Sequence, residues 1–255
     1  MKFGRRPAVH NRRTMLGALA LAKALDPLGP APATSYDYVS AVDKVTGGNW
    51  GMLGNDSVGD CTCADSGHHL MLRTANVGGT MVTPTTAQVL AMYSAITGYV
   101  PGDESTDQGA SETDVCNYLQ STGLCGHKSE GSAMINPLSM DHLRWCVQLF
   151  GACRLGIVVG QDFIQQFSAH QPWENVTTDP NPGGHDVPIV KYDAQYAYVV
   201  TWGGLQPVTW ELLANPQFLD ECHGEIYSDF LSATGASPAG FDWQQLTADL
   251  AALAT

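Results

Sequence analysis

Cys61 follows Gly59-Asp60, and Asn55 stands six residues ahead of it. Far downstream, Gly183-Gly184-His185 precedes an alternating run, Tyr196 to Trp202, that contains Thr201. A thiol early, an imidazole late and an amide just before the thiol are the parts of a cysteine nucleophile site. A thiol attacks a carbonyl only as thiolate, and a helix N-terminus with a nearby imidazolium pulls its pKa down from about 8.5. Cys61 stands where the glycine-rich loop Trp50 to Asp60 should enter a helix. Unpaired backbone N–H groups there would stabilise S⁻ and later an oxyanion. The Asn55 side-chain NH₂ would be a second oxyanion donor. His185 would act as general base, then as the acid that protonates the leaving group. Its other ring nitrogen needs an acceptor to fix tautomer and angle, and Thr201 lies near the end of the following strand.

The elements that must position these groups are legible in the spacing. Thr62 onward predicts a helix, with Ala64, His68, Met71 and Leu72 at helical intervals and Gly78-Gly79 ending the region. Thr86 to Ile96 is a second helix. Ser111 to Asp114 caps a third, which runs through Val115, Tyr118 and Leu119 to Gly123, and Met140 to Phe150 is a fourth. The pattern then changes. Ala152 to Val159, Val187 to Tyr192 and Tyr196 to Thr201 are β-branched or aromatic and read as strands, the last two joined by the short connection Asp193-Ala194-Gln195. Asp242 to Leu253 reads as a terminal amphipathic helix. The expected division is a basic arm over 1–35 with one amphipathic helix, a helical lobe over 36–150 carrying Cys61, a β-rich lobe over 151–230 carrying His185, and a C-terminal segment over 231–255. Helices first and strands second give an α+β fold with a cleft between lobes.

A chain of 255 residues buries a full core, and no apolar run approaches a membrane span. Charge is uneven: Lys2, Arg5, Arg6, Arg12, Arg13 and Lys23 are half of the twelve basic residues, and no acid precedes Asp26. The remaining body, with 25 acids, should repel nucleic acid and anionic membranes. The arm is read as part of the mature chain, placed to wrap its own acidic body or to dock on an acidic protein partner. Seven cysteines require no disulfide framework, and a reducing compartment is the simpler setting. Cys61-x-Cys63 with His68 and His69 would make half of a zinc site, but the other half, Cys222-His223, has poor spacing. Cys63 is therefore read as core, His68 and His69 as helix surface, and no metal or organic cofactor is called for.

The segment Asn55-Asp-Ser-Val-Gly-Asp-Cys61-Thr-Cys-Ala64 resembles the Gln…Gly-Ser-Cys-Trp-Ala motif of the papain-like cysteine peptidase superfamily. Gly183-Gly-His185-Asp-Val resembles that family's His-bearing strand, and Tyr196 to Gly203 resembles the strand ending in Asn-Ser-Trp-Gly. Asp107-Gln-Gly-Ala-Ser111 is similar to its glycine-rich cleft wall. The resemblance runs from about Trp50 to Tyr227, and the arm with the stretch after Trp210 is similar to papain-like proteins of tailed phages and bacteria. It implies a papain-like fold, a nucleophile at Cys61, a base at His185, an oxyanion donor at Asn55 and an orienting group at Thr201. Asn replaces the family's Gln at 55, Thr62 its Trp, and Thr201 its Asn.

The implied activity is hydrolysis of an amide bond in a peptide or peptide-like substrate held in the cleft, through a Cys61 acyl-enzyme. Two other readings keep the scaffold. One passes the acyl group to an amine, as transglutaminase-like relatives do. The other takes the chain as a weak or inactive structural or binding module, such as a component of a phage particle tethered by its arm. The sequence does not separate a cytoplasmic chain from a virion-associated or secreted one.

Overall fold

The computed structural model describes residues 1–9, 31–77 and 79–230. The expected helices at 242–253 and within the arm lie outside them.

Helices dominate the first half: α1 (Val39–Thr46), α2 (Cys61–Asn76), α3 (Thr86–Thr97) and α4 (Glu112–Ser121). Their ends follow local chemistry. Thr85 and Gln88 form a reciprocal capping box at the start of α3, Ser111 caps α4, and Gly47 and Gly98 take left-handed conformations after α1 and α3. The strand β1 (Tyr36–Asp37) precedes α1, and β2 (Gly131–Met134) follows α4. Then come α5 (Met140–Phe150), β3 (Cys153–Val159), α6 (Gln161–Ser168), β4 (Gly183–Tyr192), β5 (Tyr196–Thr201), β6 (Gly204–Thr209), the single turn α7 (Trp210–Leu213) and β7 (Leu219–Ile226).

The strands form one antiparallel sheet in the order β2-β7-β3-β4-β5-β6, with β1 beside the far end of β4. Two apolar cores result. The larger is built on the sheet with α5, and the smaller lies among α2, α3 and α4 around Leu70, Val89, Tyr93 and Val115.

Helix α2 lies between them and is buried from Cys61 through Arg73, polar residues included. This corrects one expectation: His68 and His69 are interior residues, not helix surface. His68 Nε2 meets the Gly51 carbonyl at 3.0 Å, and His69 Nε2 lies 3.1 Å from Asp65. Cys63 is core, as expected, and all seven cysteines are unbridged. No helix among the described residues is long and apolar enough to cross a membrane.

Candidate functional site

Helix α2 begins at Cys61, directly after the loop. Asp60 precedes it without capping the helix by its side chain, and the Asp60 carbonyl accepts from the Cys63 and Ala64 N–H groups. The Cys61 sulfur is thus fixed at a helix start, where backbone amides carry partial positive charge. Asn55 folds back beside it because Gly54 turns with φ of 115°.

The imidazole comes from the opposite half. His185 sits on β4 opposite Ile157 of β3, and its Nε2 lies 2.9 Å from Thr201 Oγ1 at the end of β5. Nδ1 is buried and makes no hydrogen bond. The turn after Thr201 was not legible in the sequence. Trp202 and Gly203 both have positive φ, 46° and 80°, which suits a two-residue hairpin into β6. For a tryptophan this backbone costs about 1–2 kcal/mol. It places the indole over His185, with ring centroids 5.1 Å apart and planes 20° from parallel. Cys61, His185, Asn55, Thr201 and Trp202 therefore line one pocket.

Asp186 points away from His185, as strand alternation requires. Its Oδ2 accepts from Arg154 Nη1 at 2.6 Å. Arg154 was singled out by nothing in the sequence, yet it ties β3 to α2, the helix that begins at Cys61. It also pairs with Asp65 at 3.0 Å and Glu225 at 2.7 Å and donates to the Thr62 carbonyl and to Ser66 Oγ. Burial, countered in part by Arg154, raises Asp65 to about 7; Glu225, held more strongly by Arg154 against its burial, falls to about 2.

Residues 1–9 lie in the groove between the halves. The Lys2 N–H donates to the Asn55 carbonyl, and Asn55 Nδ2 donates to the Lys2 and Val58 carbonyls. Gly4 passes beside the Cys61 sulfur, as the Asp186 backbone does. Its carbonyl accepts from the Ala110 N–H at 2.9 Å; the Arg5 N–H donates to the Gly184 carbonyl, and the Arg6 N–H to the Ala110 carbonyl. The segment runs parallel to the wall at Ala110. Phe3 packs against His185 and Trp202. A Cβ on Gly4 would fall 1.8 Å from the Gly59 carbonyl oxygen, so only glycine passes there. The arm, expected to wrap its own acidic body or to meet an acidic partner, contributes its first nine residues to its own cleft.

The covered site is electrically quiet. Burial first, and the Arg5 charge second, lower His185 to about 3. Burial, with the Asp186 charge adding to it, pushes the Cys61 thiol well up. Both side chains are 1% exposed. Under the segment, a neutral thiol and a neutral imidazole share one pocket.

No family model matches the chain, and no curated protein matches it in sequence. Solved structures do. Xylellain, a cysteine protease from Xylella fastidiosa, superposes with a TM-score of 0.64 at 16% identity, over 88% of this chain and 96% of that one. Procathepsin L 3 of the Tenebrio molitor larval midgut gives 0.57 at 13% identity, over 87% and 73%. The Carica candamarcensis cysteine protease CMS1MS2, solved in complex with E-64, gives 0.51 at 13% identity, over 76% and 99%. The chain has the papain-like fold, with its mixed helices and antiparallel sheet. Among these three, xylellain matches the largest share of this chain.

Proposed function

We propose that the protein is a thiol-dependent hydrolase of amide bonds, held latent by its own first nine residues. The observation that carries this reading is the convergence of Cys61 and His185 in one pocket, the sulfur at a helix start and the imidazole Nδ1 without a partner. Thr201 accepts from the His185 Nε2–H, which leaves the Nδ1 lone pair as the base. With the groove open to water and substrate, the burial that keeps both groups neutral is relieved. Cys61 then passes its proton to Nδ1, and the thiolate attacks the substrate carbonyl carbon. The α2 amides and Asn55 Nδ2, the latter now holding the Lys2 carbonyl, stabilise the oxyanion. His185 returns the proton to the leaving amine, then activates water to release the acyl group.

Residues 1–9 are not positioned as a substrate. The Gly4 carbonyl is engaged by the Ala110 N–H. The likeness to CMS1MS2, whose structure holds E-64, supports a peptide-sized ligand in the same groove.

The test uses Gly4→Val. Its Cβ meets the Gly59 carbonyl and expels the segment from the groove without deleting it. The full-length variant should hydrolyse a mixed fluorogenic peptide library faster than the wild type, and Cys61→Ala in that background should abolish turnover. A folded Gly4→Val protein with an exposed Cys61 and no turnover on any library would reject the hydrolase reading.

A further inference from the structure

Next to Gly4 the groove opens into a second pocket, and the Arg5 side chain fills it at 2% exposure. Nη2 donates to Asp220 Oδ1 and Oδ2 at 2.7 and 2.9 Å, and Nη1 donates to Glu221 Oε2 at 3.2 Å. Nη1 also reaches the Arg6 carbonyl at 3.4 Å. Glu112 Oε1 lies 4.0 Å from Nε. Glu112 and Glu221 are fully buried, and neither oxygen of Glu112 accepts a hydrogen bond. Asp220, at the mouth, keeps 39% of its side chain exposed.

The sheet is shaped for this occupant. Gly156 pairs with Glu221 and Ile157 with Leu219, so Asp220 is an extra residue in β7. Such a bulge re-aims side chains, and here adjacent residues meet one guanidinium. The room comes from Gly156. A Cβ there would sit 2.4 Å from Glu112 Oε1 and 2.8 Å from Arg5 Cζ and Nη1.

We infer that this is the specificity pocket of the groove, and that it selects an arginine side chain of the bound peptide. Three features of the site carry this. The occupant belongs to the segment that lies across Cys61, not to the wall. The wall sets three carboxyl groups around that one guanidinium, with His223 Nε2 behind them at 2.9 Å from Glu221 Oε1 and 3.7 Å from Glu112 Oε2, so whatever displaces residues 1–9 takes a cation from these buried groups unless it brings one of its own. The geometry asks for a planar fork, because two terminal nitrogens bond two different carboxylates at once, which the point charge of lysine does not reproduce. The inference rests on the hydrolase reading only for the claim that the ligand is a substrate; binding tests the pocket alone.

The measurement is binding of labelled peptides that differ at one side chain (arginine, citrulline, lysine or leucine) to full-length Gly4→Val carrying Cys61→Ala. Arginine should bind roughly 10- to 100-fold more tightly than the uncharged isostere citrulline. Glu221→Gln in the same background should erase most of that difference. Preferential arginine binding without cleavage by the Cys61-bearing Gly4→Val protein would leave the pocket standing and reject the hydrolase. Cleavage with no preference for arginine over citrulline would do the reverse. If Gly4→Val does not fold, Arg5→Lys in the otherwise intact chain replaces it. Its weaker plug should yield the groove at a lower arginine-peptide concentration than the wild type requires, and equal concentrations would overturn the inference.

Discussion

The His185–Thr201 contact is where the chemistry is most exposed to test. In the proposed mechanism Thr201 is a positioning group: its hydroxyl, 2.9 Å from Nε2, accepts from the ring so that Nδ1 keeps the lone pair. In the Gly4→Val background, Thr201→Val should lower kcat/KM about 10- to 100-fold and shift the acid limb of the pH profile, while Thr201→Ser keeps most activity. Equal rates for the valine and serine variants would remove Thr201 from the account. Asp60 gives a second residue-scale prediction. Its carboxyl is buried without a hydrogen bond on either oxygen, and burial raises it from 3.8 to about 8. The folded chain therefore keeps a proton that the unfolded chain releases above the usual carboxylate range. That contribution to stability is complete at low pH and is lost as pH rises through about 8. Thermal melts should show the wild type losing stability between about pH 5 and pH 9, and Asp60→Asn losing much less of it. Superimposable curves would show that Asp60 is ionised in the fold.

At the scale of elements, helix α2 and the sheet are joined by Arg154. Replacing it with methionine leaves Asp65, Asp186 and Glu225 buried around no cation. Removing one partner of such a network typically costs about 3–5 kcal/mol, which a urea midpoint would register. A change below about 1 kcal/mol would mean that water already reaches these groups. This network also marks how far the sequence could be read. The starts of α2, α3 and α4, the whole of α5 and β5, and the two halves of the site were legible, because caps, apolar periods and strand composition are local signals. Arg154 was not, because an arginine in the apolar run Cys153–Val159 gains its meaning from carboxylates on three other elements. His68 and His69 were misplaced for a related reason: α2 is packed on both sides, so helical spacing does not reveal an outer face. Helices α1 and α6 and strands β6 and β7 went unassigned. In β6 the cue was the Trp202-Gly203 turn, read only as part of the preceding motif. The lodging of residues 1–9 in the groove was hidden because it depends on Gly4 fitting against Gly59, a long-range contact.

Across the whole molecule, charge and latency are one arrangement. A chain of net charge −13 carries Lys2 and Arg5 into its own cleft, where Lys2 meets Asp107 at 3.1 Å and Arg5 meets Asp220 and Glu221. The cleft is covered by the segment that its acidity attracts, and that segment keeps the thiol and the imidazole buried and neutral. Uncovering must therefore change the reactivity of one cysteine among seven. The direct measurement is the rate of iodoacetamide alkylation at Cys61, mapped by mass spectrometry at about pH 6, where an ordinary thiol is almost wholly protonated. Gly4→Val should label at least about tenfold faster than the wild type, and adding His185→Ala should return the rate to that of an ordinary thiol. Labelling of Gly4→Val that is indifferent to His185, or that rises only near about pH 8.5, would contradict a thiolate–imidazolium pair at this site.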